Sequence, residues 1–298
     1  MCLGRIMFRV AFKRNPIEGK MKPDGYLSKK LMGDCFPRLV QTTREYRAKL
    51  KAIPHEELTL TTADGLALKG WFFDAKSKRT AILVHGYNSK GWTDCVIQGY
   101  HYYQHGYNVL ISDNRASGES QGQYLTFGVR ECKDVARWAG LVNERVPQGS
   151  IVLHGTSLGG GTVCMCSALD IPGVKAVVED CAYLSMRWEF EHMAKLFVHC
   201  VPRRVINSAE KVTVKRLGFD FSSESPLESI KRAKYPVFFV HGKADTFIPY
   251  SSSEILYAAC PTDKQLLLVD GMGHGSAQLA GDGYFEPIFA FVDRYCGE

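Results

Sequence analysis

No stretch of this sequence reaches the roughly 18 consecutive apolar residues of a membrane span. The apolar residues near the N-terminus are interrupted by Arg5 and Arg9 before a secretory h-region forms. A chain with neither feature is expected in the cytoplasm. The ten cysteines include no C-x-x-C pair, which leaves out the common zinc and dithiol spacings. Their scatter suits small buried hydrophobes in a reducing compartment better than a disulfide framework. Internal repeats and low-complexity segments are missing too, so solenoid and linker architectures are not expected. Charge of one sign is scarce over most of the chain. The net charge is +6, but residues 1–55 hold 13 Lys/Arg against 4 Asp/Glu, or +9, which leaves −3 for the remainder. A body without basic excess and without an aromatic–basic motif speaks against a nucleic-acid ligand.

What the sequence does contain is a rhythm of short strands. With 298 residues and 45% hydrophobic content, a sizeable core is affordable. Residues 57–61 and 66–72 alternate polar and apolar around Asp64-Gly65, the pattern of a hairpin. Apolar runs follow at 81–84, 107–111, 150–154, 174–178, 237–240 and 265–269, with helix-like segments between them. Short apolar strands alternating with helices predict an α/β fold with a mostly parallel sheet covered on both faces. Reactive groups in such sheets gather at the carboxyl ends of the strands. The rhythm breaks between Cys181 and Tyr235. This stretch includes helix-like 185–200 and reads as a helical cap inserted after the sixth strand, the alternative being surface padding. The expected division is therefore an arm over 1–55, a core over 56–182 and 235–298, and a cap over 183–234.

The motif with chemical content is Gly155-Thr156-Ser157-Leu158-Gly159. It sits directly after an apolar run and directly before a helix-like stretch, 162–169. A strand turning straight into a helix strains the middle residue, demands small neighbours, and lifts the serine hydroxyl over the sheet edge at a helix N-terminus. Ser157 is thus a candidate nucleophile, the alternative being a small residue in a crowded turn. A serine needs a base, and the base needs an acid. His85, His154 and His241 each follow an apolar strand, where fixed hydrogen bonds are expected. His274 lies among glycines after the last strand and is expected to be exposed and free to swing. Asp245, after the strand ending at His241, is the candidate acid, and Asp180 is its rival. The order Ser157, Asp245, His274 is that of one hydrolase fold and differs from the two unrelated serine-protease orders. Backbone N–H groups of Leu158 and Tyr87 are the candidate oxyanion donors, Gly86 allowing close approach. No histidine spacing supports a metal site.

Taken together, HGYNS at 85–89, DNRASGES at 113–120, GTSLGG at 155–160, KADTFIP at 243–249 and GMGHG at 271–275 resemble the α/β-hydrolase superfamily over roughly residues 56–298. The spacing is most similar to the serine aminopeptidase-like branch, which includes carboxylesterases, lipases, peptidases and thioesterases with a helical cap. That resemblance implies Ser157 as nucleophile, Asp245 as acid and His274 as base. It also implies an ester or related acyl substrate and no metal, nucleotide or flavin. Ala116 departs from the pattern, standing where the branch often has glycine. Trp188 and Phe197 in the cap are candidate substrate contacts. A non-catalytic binding protein on the same scaffold is the alternative from another class; it would be favoured by a missing triad member.

The arm has its own pattern. Arg5, Arg9 and Lys13 recur every four residues, while Leu3, Ile6, Met7 and Val10 form another face at helical spacing. Residues 1–14 therefore suit a basic amphipathic helix. It is expected either to pack this apolar face on the body or to make peripheral membrane contact.

Overall fold

The computed structural model describes residues 2–14, 32–199 and 202–297. In chain order the elements are helices α1 (Cys2–Phe12) and α2 (Phe36–Lys51), then strands β1 (Glu56–Thr61), β2 (Ala67–Phe73) and β3 (Arg79–Val84). Helices α3 (Gly91–Asp94) and α4 (Val96–Gln104) precede β4 (Asn108–Ser112), and α5 (Glu131–Arg145) precedes β5 (Ser150–Thr156). After α6 (Leu158–Cys166) and β6 (Val174–Asp180) come three helices in succession, α7 (Met186–Val198), α8 (Arg203–Leu217) and α9 (Pro226–Ile230). The chain returns to the sheet in β7 (Val237–Gly242), α10 (Ser251–Ala259), β8 (Lys264–Val269) and α11 (Asp282–Cys296).

The eight strands form one sheet in the order β1-β2-β4-β3-β5-β6-β7-β8. Pairings β1–β2 and β2–β4 are antiparallel, and all those from β4 to β8 are parallel. Parallel strands need crossovers, and the crossover helices bury both faces. That is why β3, β4, β5 and β7 are buried almost throughout while β1 alternates. Two apolar layers result. One, under α5, α6 and α9, includes Trp138, Leu153, Val177 and Phe239; the other, under α4 and α11, includes Tyr102, Ile111, Val152 and Phe291. This is the α/β-hydrolase fold.

The arm's apolar face differs from the one its periodicity suggested. Phe8 and Phe12 are buried in the first apolar layer, and Gly4 lies against α8, where a Cβ would come within 2.5 Å of Ser208 Cβ. Leu3, Ile6 and Val10 face outward instead. Two apolar stripes wrap this helix. The one containing glycine wins because it lets α1 and α8 approach closely.

Candidate active site

The turn between β5 and α6 carries Ser157 with φ 59° and ψ −116°, a left-handed conformation that ordinarily costs a non-glycine residue about 1–3 kcal/mol. Its neighbours show why the motif needs glycines. A Cβ on Gly155 would lie 2.1 Å from Gly159 O, and a Cβ on Gly159 would lie 2.0 Å from Val84 O. The strained residue is held by its own backbone, as Ser157 N donates to Asp180 O at 2.7 Å, tying the turn to the end of β6.

Three of the anticipated side chains meet here. Ser157 Oγ lies 2.9 Å from His274 Nε2, and His274 Nδ1 lies 2.7 Å from Asp245 Oδ2. An ionised carboxylate only accepts, so His274 Nδ1 carries the proton and Nε2 is left to accept from the serine hydroxyl. Burial lowers the His274 pKa, but the charge of Asp245 and its hydrogen bond outweigh that and raise it above the ordinary value. Burial likewise pushes Asp245 up, yet the charge of His274 and hydrogen bonds from His241 and His274 hold it well below the usual carboxylate range. Asp245 Oδ1 is also occupied, accepting from Phe247 N and Ile248 N, each at 2.9 Å. His274 is buried and hydrogen-bonded at both ring nitrogens, which corrects the expectation of an exposed, swinging histidine.

The rival acid is engaged elsewhere. Asp180 Oδ2 accepts from Tyr284 OH at 2.8 Å, and burial raises its pKa to about 6. The other strand-end histidines make fixed contacts. His85 Nε2 accepts from Asn114 N at 2.9 Å, and His154 lies between Tyr102 OH at 3.3 Å and Tyr284 OH at 3.1 Å. The sequence reading did not connect His241 to the acid. Its Nε2 faces Asp245 Oδ2 at 3.1 Å and Ile248 O at 2.9 Å, two acceptors, so Nε2 donates. Its Nδ1 lies 2.7 Å from Ser253 Oγ, and that hydroxyl donates to Glu179 Oε2 at 3.1 Å, a carboxyl whose pKa burial raises to about 7. A buried relay thus runs from Glu179 through Ser253 and His241 to Asp245. The four-residue spacing of His241 and Asp245 was its only sequence signal.

Beside the serine, a Cβ on Gly86 would lie 3.4 Å from Ser157 Cβ, so the Gly86–Tyr87 backbone borders the hydroxyl. Asp94 fixes this turn by accepting from Gly86 N at 2.9 Å and Ser89 Oγ at 2.6 Å. The Tyr87 ring stacks on Phe127 at 5.6 Å, and its OH donates to Ala11 O of the arm at 3.1 Å. On the other side, Leu158 is the first residue of α6, where a backbone N–H has no partner within its helix. Ala116 adopts φ 57°, the left-handed backbone that glycine would take without strain.

Helices α7 to α9 fill the segment between β6 and β7. Ser185 caps α7 by accepting from Trp188 N at 3.1 Å. Trp188 is partly buried against the core and stacks on His192 at 5.3 Å. Phe197 is nine residues further on, half a rotation around the helix, and 40% exposed. The two anticipated cap contacts therefore do not share a face. Glu189, which the sequence reading passed over, is buried, and its Oε2 has no hydrogen-bond partner among the described residues. Burial, reinforced by the charge of Asp245, raises its pKa to about 8.

Cys181, Asp245 and His274 offer ligand atoms within 4.8 Å of one another. Metal binding there would break the Asp245–His274 hydrogen bond. It would also require a thiolate from Cys181, whose pKa is pushed well up by burial and by the charges of Asp180, Asp245 and Glu179. The donor set fits a metal poorly. No described helix is long and apolar enough to cross a membrane.

Comparison with known proteins agrees with this architecture. The chain is 24% identical to the uncharacterized protein YqkD of Bacillus subtilis over 90% of its own length and 89% of the relative's. To the uncharacterized protein YfhR of Escherichia coli K12 it is 25% identical, over 80% of each chain. The esterase Pf2001 of Pyrococcus furiosus superposes with a TM-score of 0.67 at 22% identity, covering 83% of this chain and 92% of that one, a likeness of fold. The profile of the family described as X-Pro dipeptidyl-peptidase (S15 family) matches residues 36–201, more than half of the sequence. With the eight-stranded sheet around it, that match makes the chain a member of the X-Pro dipeptidyl-peptidase (S15) family, an α/β-hydrolase.

Proposed function

We propose that this hydrolase is a serine hydrolase that cleaves a carboxylic ester through an acyl-enzyme on Ser157. The observation that carries the reading is the continuous hydrogen-bonded line from Ser157 Oγ through His274 to Asp245 Oδ2. As Ser157 Oγ attacks the carbonyl carbon, its proton passes to His274 Nε2, and Asp245 stabilises the resulting imidazolium. The carbonyl oxygen becomes an oxyanion between the N–H groups of Tyr87 and Leu158, each such donor contributing about 2.7–4 kcal/mol to the transition state. His274 then gives the proton to the leaving alkoxide. Water, activated by the same imidazole, attacks the acyl carbon and releases the acid and Ser157. The cap selects the acyl group, with Trp188 as its candidate contact. The family name favours a second reading, cleavage of a peptide bond after an X-Pro pair.

The test is fluorophosphonate labelling of wild type and Ser157→Ala, followed by rates on p-nitrophenyl esters of increasing chain length and on an X-Pro p-nitroanilide. Labelling and ester hydrolysis confined to wild type are expected. Equal labelling and activity in Ser157→Ala would sink the mechanism. A faster rate on the anilide than on every ester would replace the ester reading by the peptidase one.

A further inference from the structure

The arm helix presents three distinct surfaces. Gly4, Phe8 and Phe12 point inward. The backbone just beyond is fastened to the body, with Arg14 N donating to Gln123 O at 2.8 Å and Leu125 N donating to Phe12 O at 2.9 Å. Leu3, Ile6 and Val10 point the opposite way and are 64%, 52% and 71% exposed. Between these surfaces runs a row of Arg5, Arg9 and Lys13, all exposed. At 100° per residue the row occupies the sector next to the outward apolar ridge, on one side of it only.

That cationic row forms one wall of a groove of about 720 Å³ between α1, α8 and the 122–124 loop. Arg14 and Arg216 complete its five cations, and among the described residues no carboxylate lines it. Arg216 contacts Tyr124 OH at 3.2 Å, and Arg14 donates to the carbonyls of Gly118 and Ser120. Those partners are neutral, so the groove keeps its full positive charge. Among the described residues, Arg5, Arg9 and Lys13 make no salt bridge.

We propose that α1 is a docking surface for an anionic phospholipid bilayer, with the Leu3–Ile6–Val10 ridge entering the acyl boundary and the neighbouring groove taking lipid phosphates. Two features choose this occupant. Five cations without a carboxylate partner among the described residues favour an anionic partner. An aliphatic ridge alongside them matches the depth profile of a membrane interface, apolar below and phosphate above. A nucleic acid would use the cations but has no place for three aliphatic side chains. Because the helix is fastened by its inner face, docking needs no release of the arm. The inference is independent of the acyl chemistry.

The test is co-sedimentation of the full chain with vesicles of phosphatidylcholine alone or with phosphatidylglycerol, at low and high salt. Two variants accompany it, Leu3→Ser/Ile6→Ser/Val10→Ser and Arg5→Glu/Arg9→Glu, each checked for a wild-type circular dichroism spectrum and Tm. Wild type is expected to sediment with phosphatidylglycerol vesicles at low salt and to be released by high salt. Both folded variants should partition about tenfold or more weakly. Inorganic phosphate at low ionic strength should not release the wild type, because the ridge holds lipid and not the free ion. The proposal is overturned if wild type stays in the supernatant with anionic vesicles or binds neutral ones equally well. It is equally overturned if the folded serine variant sediments as wild type does, or if phosphate releases the wild type as completely as high salt.

Discussion

Glu189 offers a sharp test of how fully α7 is packed against its surroundings. Its carboxyl is buried on α7, one oxygen without a partner, and its pKa is raised from 4.5 to about 8 by burial and then by the charge of Asp245. In the unfolded chain it ionises near the ordinary value. Between those two values the folded state binds more protons than the unfolded one, so stability falls as pH rises, and the fall ends once the folded group also ionises. At about 1.4 kcal/mol per pKa unit, a shift from 4.5 to about 8 sets a ceiling of about 5 kcal/mol. Water reaching the carboxyl relaxes part of this, so a loss of about 2–3 kcal/mol is expected. Glu179, Asp180 and Asp134 titrate in the same direction, with pKa values raised to about 7, about 6 and about 6, and His154, lowered to about 3, opposes them, so the wild-type profile alone mixes several groups. Glu189→Gln removes one. Urea unfolding of both proteins from pH 4.5 to 8.5 should show the mutant gaining on wild type steadily as pH rises. A difference that stays constant with pH would mean that Glu189 is solvated in the folded protein.

Two further outcomes follow from the geometry. Asp245→Asn is expected to lower kcat by on the order of 10³-fold or more, because an amide cannot enforce the Nδ1–H tautomer of His274. Asp180→Asn, whose carboxylate serves Tyr284, should cost less than about tenfold on the same measure; the reverse ranking in steady-state kinetics would exchange the two roles. Gly159→Ala forces a Cβ to within 2.0 Å of Val84 O, a backbone atom that cannot swing away. It should cost about 3 kcal/mol or more in urea unfolding. Gly140→Ala on α5, with nothing within 4 Å of its Cβ, should gain up to about 1 kcal/mol. Equal midpoints for the two variants would refute the packing argument.

The strands were legible because each is a short apolar or alternating run bounded by turn residues, a pattern that requires only local information. The serine turn was legible for a related reason, since small residues at a strand-to-helix junction are a local steric demand. His274 was placed correctly in the chain order but wrongly in its environment. Nothing within a Gly-rich segment announces that it is buried against Asp245. The link between His241 and Asp245 was hidden in the same way. They are four residues apart, yet they meet because β7 ends between them and the chain doubles back through Ile248, not because of a helical repeat. Glu189 lies in a stretch that reads only as helix, and nothing local to it marks the burial that the folded chain imposes.

The arm shows where periodicity alone becomes ambiguous. Leu3, Ile6 and Val10 repeat at helical spacing, and so do Gly4, Phe8 and Phe12. A hydrophobicity pattern favours the first set, because glycine contributes nothing to it. Packing favours the second, because a missing Cβ allows the approach to α8 and because Phe12 has aromatic partners waiting. Its ring lies 5.2 Å from Phe127, 5.9 Å from Phe221 and 6.1 Å from Phe190. Those three rings belong to the loop before α5, to the segment after α8 and to α7. Phe127 in turn stacks on Tyr87, whose backbone borders Ser157. One aromatic cluster therefore joins the arm, the cap and the turn beside the nucleophile. Through Phe127, Phe12 of the arm is packed to the Tyr87 ring, and among the described residues no arm side chain hydrogen-bonds Ser157, His274 or Asp245. A segment read from charge and periodicity as an appendage is, by its packing, one of the supports that hold the Tyr87 turn in place.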